Sequence, residues 1–87
     1  MPNNGRARNM LKELLMTIAT ALVEDKSAVV VTVDEPNDEG VIVYHLHVGA
    51  DDMGRVIGKQ GRIAKSIRTV MRAGAVRANE KISVEID

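Results

Sequence analysis

Residues 54–70 read GRVIGKQGRIAKSIRTV. Gly58 and Gly61 bracket Lys59 and Gln60, apolar residues lie on both sides, and basic residues recur every few positions afterwards. Glycine has no Cβ, so a phosphate chain can approach the backbone of such a turn closely. If a helix starts at Gly61, its first amide hydrogens and its positive dipole end face whatever sits over the turn. Lys59 adds a mobile charge at the tip, and Gln60 adds a polar group. This is chemistry for holding a sugar–phosphate backbone rather than for reading a base. Arg55 and Arg62 flank the turn, and Lys65 continues the cationic side.

Spacing rules out two other phosphate motifs. A Walker loop requires G-x-x-x-x-G-K-[ST], but only three residues separate Gly54 from Gly58, and Gln60 follows Lys59. A dinucleotide fingerprint requires G-x-G-x-x-G, and the chain has no G-x-G. A helix–turn–helix reader of duplex DNA stays open, because its turn often holds one glycine and its second helix is basic. Two glycines exceed what that turn needs.

The formal net charge is zero, from 12 basic and 12 acidic residues, and it conceals a separation. Arg55, Lys59, Arg62, Lys65, Arg68, Arg72 and Arg77 are basic, and no acidic residue falls among them. A basic stripe on a neutral chain predicts one anion-seeking face. At ~100° per residue, Arg62, Lys65, Arg68 and Arg72 fall within about a third of a helix circumference.

The remaining candidates for chemistry are weak. His45 and His47 have metal-ligand spacing, but no further histidine and no cysteine completes a set, so no metal or cofactor is expected. Asp34, Glu35, Asp38 and Glu39 sit in a turn-like segment without a paired base, which predicts solvated carboxylates rather than acid–base catalysis. No Ser–His–Asp or Cys–His constellation is visible, so the chain reads as non-enzymatic. Tyr44 is the one aromatic residue, and alternation places it inward, which excludes base stacking on a sheet face.

The elements that must position these residues follow from periodicity. Leu11, Leu14, Leu15, Ile18 and Leu22 form one stripe and predict a helix over about 8–24, after a flexible tail at 1–8. AVVVTV (28–33) and VIVYHLHV (41–48) read as strands joined by the polar loop 34–40, an antiparallel hairpin. Ile42, Tyr44, Leu46 and Val48 share the inward face, with His45 and His47 on the other. Asp51 or Asp52 is expected to cap a short helix over about 51–57. A longer helix follows over about 62–76, with Ile63, Ile67, Val70 and Met71 facing the core. KISVEID (81–87) alternates as a final strand, and its helical crossover allows it to run parallel to a hairpin strand. The result is a single α+β domain over 1–87: two layers, order α-β-β-α-α-β, a three-stranded mixed sheet with helices on one face.

VIGKQGRIAKSI resembles the KH-domain signature V-I-G-x-x-G-x-x-I-x-x-I. Val56, Ile57, Gly58, Gly61 and Ile67 fall on it, while Ile63 stands one place before the usual isoleucine. The element order is similar to the type II KH fold over essentially the whole chain. Such a short chain resembles the KhpA family of bacterial single-KH RNA-binding proteins. That resemblance implies single-stranded RNA held at Gly58, Lys59, Gln60 and Gly61, with Arg55, Ile57, Arg62 and Lys65 around them, and Ile57, Ile63 and Ile67 divided between groove and core. It also implies RNA-chaperone or regulatory work, self-pairing or pairing with a second KH-containing protein, and a link to cell elongation and cell-wall homeostasis. The rival expectations are duplex DNA binding and a pure protein-interaction module.

No apolar run approaches the ~20 residues that span a bilayer, and MPNNGRARN lacks a secretory apolar segment, so a cytoplasmic protein without membrane insertion is expected.

Overall fold

A computed structural model describes residues 4–87. Helix α1 spans Asn4–Leu22, strand β1 Val30–Val33, strand β2 Val41–His47, helix α2 Met53–Ile57, helix α3 Arg62–Arg77 and strand β3 Lys81–Ile86. Single 3-10 turns precede β1 (Lys26–Ala28), α2 (Ala50–Asp52) and α3 (Lys59–Gly61). The order α-β-β-α-α-β is the expected one.

Two boundaries differ. Residues 4–8, expected in a flexible tail, belong to the first turns of α1, where Ala7 and Arg8 are half-buried; the first three residues lie outside those described. Residues 28 and 29, expected at the start of a strand, instead leave the 3-10 turn, in which Ala28 N–H donates to the Asp25 carbonyl.

β1 and β2 pair antiparallel, with Val31 opposite Leu46 and Val33 opposite Tyr44. Asn37 closes their connection: its side-chain oxygen accepts from the amides of Glu39 and Val41, and Gly40 turns back at φ 78°. β3 pairs with the other edge of β2 in parallel, Tyr44 opposite Val84, giving sheet order β1-β2-β3.

The core lies between the inward sheet face and the helices. Leu11, Leu15, Ala19 and Val23 of the α1 side meet Ile42, Tyr44, Leu46 and Val48 of the β2 side, with Val56, Ile67, Met71 and Ala75 closing it. The short alternating strands thus bury one face only. Tyr44 is fully buried at the centre, and burial pushes its phenol up to about 12, with Glu80 reinforcing the shift. Its ring is core, not a stacking platform.

The inward face of α3 differs from the expected one. Ile67 and Met71 are buried, but Val70 is 46% exposed, and Ala64 and Ala75 pack inward instead. Leu11 and Leu14 of α1 lie against Gly74, so small residues suffice at that end of α3. The helix ends on a left-handed Asn79 (φ 60°): Glu80 N–H donates to the Ala75 carbonyl and Asn79 N–H to that of Val76. This pairing is the Schellman stop, with asparagine in the usual glycine place.

Candidate nucleic-acid interface

The turn between α2 and α3 is built on three left-handed residues: Gly58 (φ 76°), Gln60 (φ 58°) and Gly61 (φ 75°). The two glycines need that freedom for different reasons. A Cβ at Gly58 would stand 2.8 Å from the Cβ of Ile63 and 2.9 Å from its backbone nitrogen. The bare side of Gly58 therefore faces the protein and not a ligand, which corrects the expectation that both glycines open the backbone to a phosphate. A Cβ at Gly61 would meet nothing within 4 Å, so this position keeps an open approach. Gln60 is a non-glycine residue in the left-handed region, and its Oε1 accepts from Arg62 Nη2 at 3.3 Å.

The helix start is less open than its position implies. Gly61 N–H donates to the Gly58 carbonyl and Arg62 N–H to the Lys59 carbonyl, so two of the expected free amides close the turn itself. Among the described residues, the amides of Lys59 and Gln60 make no hydrogen bond. These two successive donors lie at the exposed tip beside the Lys59 side chain.

The cations divide into two kinds. Lys59, Lys65 and Arg72 are exposed and, among the described residues, engage no acceptor. Arg68 is also exposed, but its Nε donates to the Val84 carbonyl at 3.2 Å. That bond fixes the orientation of the basic stripe: it runs along the side of α3 next to β3. Arg68, Arg72, Ile82, Ser83 and Val84 line a small cleft of about 110 Å³ there. In the β2–β3 ladder the Asp87 amide and carbonyl point to β2, so by alternation Ile82, Val84 and Ile86 present theirs to the open edge.

Arg55 does not reach this face. Its Nη1 donates to Asp52 Oδ1 at 2.8 Å and to the Asp51 carbonyl at 3.3 Å, and its Nη2 lies 3.1 Å from Glu24. The expected capping role of Asp52 is also different. Its carboxylate makes no cap bond to α2 but accepts the amides of Glu24 and Asp25, both at 3.0 Å, where the chain leaves α1. Those two amide bonds, then Arg55, hold its carboxyl below the ordinary 3.8. Asp52 is 2% exposed, so an uncharged neighbourhood would be unfavourable; the three donors make the charge tolerable there. Sequence reading missed this knot, because the partners lie 27 and 28 residues apart. Ile57 and Ile63 are half-buried and pack against the core, while Ile67 is buried within it.

On the outer sheet face, His45 Nε2 lies 2.9 Å from Asp34 and its Nδ1 3.9 Å from Glu85, and His47 Nδ1 lies 3.5 Å from Asp87. Among the described residues no group of three His, Cys, Asp or Glu side chains is arranged to hold a metal ion. None of the described helices is long and apolar enough to cross a membrane.

A three-stranded mixed sheet under three helices, with a G-x-x-G turn joining the last two, defines a type II KH domain. Residues 12–86 match the model of the KhpA/KhpB KH domain, and the chain belongs to that family. It is 51% identical over 76 residues to the RNA-binding protein KhpA of Clostridium acetobutylicum, covering 87% of this chain and 99% of that one. It is 40% identical to RNA-binding protein KhpA of Treponema pallidum, over 88% of this chain and 94% of that one. Among solved structures, Aquifex aeolicus Era bound to GDP and aluminium fluoride superposes with TM-score 0.62 at 18% identity, over 88% of this chain. Era in complex with MgGDPNP and nucleotides 1506–1542 of 16S ribosomal RNA gives 0.61 at 19%. The chain spans about 29% and 28% of those two proteins, and the likeness is one of fold.

Proposed function

We propose that this chain binds single-stranded RNA without catalysing a reaction on it. The observation that carries the reading is the tip of the α2–α3 turn. There the free amides of Lys59 and Gln60, the Lys59 ammonium and the open side of Gly61 converge beside a basic helix flank. A phosphate seated over the tip accepts from the two amides and the ammonium, and Arg62 and Lys65 meet the next phosphates. The cleft between α3 and β3 then receives the bases, where Arg68 and Arg72 add charge and the open strand edge offers amides and carbonyls. With no exposed aromatic ring, binding rests on backbone contacts and aliphatic packing. The KhpA relatives bear the name RNA-binding protein, which agrees with this reading.

Lys59, Gln60, Gly61, Arg62 and Lys65 form the RNA site in this account, while Gly58, packed on Ile63, and Ile57 support the turn from below. Arg55 is assigned a structural place, holding the α1 exit to α2. The family resemblance further supports a cytoplasmic RNA chaperone or post-transcriptional regulator acting in cell elongation and cell-wall homeostasis, paired with itself or with a second KH-containing protein. A site of about four nucleotides is weak alone, and pairing raises its effective concentration.

The test replaces Lys59 and Gln60 with aspartates. Aspartate tolerates the left-handed conformation, so the fold and Tm should stay nearly unchanged while affinity for a short unstructured RNA falls about tenfold or more. Undiminished RNA binding in a folded double variant contradicts the clamp. Tighter binding to duplex DNA than to single-stranded RNA at the same salt favours the helix–turn–helix reading instead.

A further inference from the structure

The cleft between α3 and β3 carries an unusual hydrogen-bonding pattern. An open strand edge ordinarily presents a row of unpaired N–H and C=O groups. On β3 those of Val84 face the open edge, above its buried side chain. The Val84 carbonyl is already engaged there, because Arg68 Nε donates to it at 3.2 Å. The Ile82 and Ile86 carbonyls stand about 6.6 Å away along the strand, one on either side. Around Val84 the edge is thus left with donors, its own N–H and the rest of the Arg68 guanidinium.

The bond to Val84 also orients Arg68. A guanidinium is planar and donates in a fixed fork. With Nε held on the strand, Nη1 and Nη2 keep a parallel pair of N–H groups at the far end of the plane. Among the described residues these have no acceptor, and no carboxylate pairs with Arg68. Such a pair fits a base edge on which two acceptors are neighbours. Guanine has that edge in O6 and N7, and cytosine in an unpaired strand has it in O2 and N3. Adenine places its N6 amino donor beside N7 and N1, so donor would meet donor. Uracil places N3–H between its two carbonyls, so only one bond forms.

We propose that Arg68 makes the α3–β3 cleft select guanine or cytosine over adenine and uracil, by presenting its Nη pair and covering the Val84 carbonyl. Covering that carbonyl acts in the same direction, since it withdraws the acceptor that the adenine amino group would use. The proposal rests on the RNA reading above and adds base selection to it.

The test titrates the isotope-labelled full chain with uridine tetramers that carry one guanosine, cytidine or adenosine at each internal position. The tetramer with guanosine or with cytidine should bind about tenfold tighter than those with adenosine or uridine alone, and should shift the Arg68 Nε–H and Val84 amide signals. Replacing guanosine by 7-deazaguanosine removes N7. It should cancel the gain where guanine is the selected base, and the cytidine tetramer binds tightest where cytosine is.

Arg68→Lys keeps the charge but loses the planar fork. It should leave the all-uridine affinity within about twofold and bring the four bases within about twofold of one another. Lys65→Met, by contrast, should weaken every tetramer alike and keep the preference. The wild-type series stands without either variant. Equal affinity for all four bases, a preference for adenine, or an Arg68→Lys variant that keeps the wild-type preference overturns base selection by Arg68. In those cases shifts at the Lys59 and Gln60 amides leave the clamp standing. A chain that binds none of the tetramers removes the RNA reading and this proposal together.

Discussion

Gly58 and Ile63 are packed so closely that no Cβ fits between them: it would lie 2.8 Å from the Ile63 Cβ and 2.9 Å from the Ile63 nitrogen. This contact holds the end of α2 against the start of α3, and Lys59 and Gln60 stand exposed at the tip between them. Gly61, three residues on, has open space where its side chain would be. The two glycines of the motif therefore differ in kind, one closing the turn against the protein and one leaving room above it.

That difference gives unequal alanine substitutions. Both impose left-handed strain, about 1 kcal/mol. Gly58→Ala adds the collision with Ile63, so about 2–4 kcal/mol in total is expected, against about 1 kcal/mol for Gly61→Ala. Urea unfolding of the two variants, compared by midpoint at constant m-value, checks this. Equal losses would show that the Ile63 contact does not constrain the turn.

Gln60 holds a left-handed conformation (φ 58°) that favours glycine. Gln60→Gly should therefore raise stability by about 0.5–1 kcal/mol, and under the proposed clamp it should weaken RNA binding, since the side chain that accepts from Arg62 is gone. Thermal unfolding and an RNA titration of one variant separate the two effects. A destabilised Gln60→Gly would mean that the Arg62 hydrogen bond outweighs the backbone strain.

Asp52 should govern acid stability. Its carboxyl titrates below 3.8 in the folded chain because the Glu24 and Asp25 amides, then Arg55, favour the charged form. A depressed carboxylate contributes stability above its unfolded pKa and loses it as pH falls through the folded value. Wild-type Tm should therefore drop as the pH falls below about 4, and Asp52→Asn should lower Tm at neutral pH and flatten that acid limb. Arg55→Gln should also lower Tm, by less, and leave RNA affinity within about twofold, because Arg55 is engaged with Asp52 and Glu24. A large affinity loss in a folded Arg55→Gln variant would return this arginine to the RNA site.

His45 carries the opposite pH sign. Its hydrogen bond to Asp34 raises its pKa above 6.5, with Glu85 and Asp87 adding smaller attractions. The stabilisation is complete below 6.5 and is lost as pH rises through the raised value. An NMR titration of the His45 ring should give a midpoint above 6.5 that falls back toward it in Asp34→Asn. A midpoint unaffected by that substitution would break the assignment to Asp34.

Local patterning carried most of the fold into the sequence. The strands, the hairpin, the crossover and the turn between α2 and α3 were readable because period-2 and helical stripes are local, and because Gly58 and Gly61 mark the turn. What escaped was non-local. Nothing near Asp52 announces that it receives amides from the end of α1, and Arg55 reads as one more member of a basic run until Glu24 is placed beside it. Val70 fits the apolar stripe of α3 as well as Ile67 does; only the packed fold turns Val70 to solvent and Ala64 to the core. The KH signature marked Gly58 and Gly61 alike, and their opposite surroundings came only from the packing of Ile63.

The most direct test of the RNA clamp is a map of amide shifts as short single-stranded RNA is added to the isotope-labelled chain. The clamp predicts the largest changes at Lys59, Gln60, Gly61 and Arg62, with smaller ones at Lys65 and along Ile82–Val84, and none at Val30, Thr32 or His47 on the outer sheet face. Changes confined to that outer face, or to α1, with the Lys59 and Gln60 amides unmoved at saturation, would contradict it.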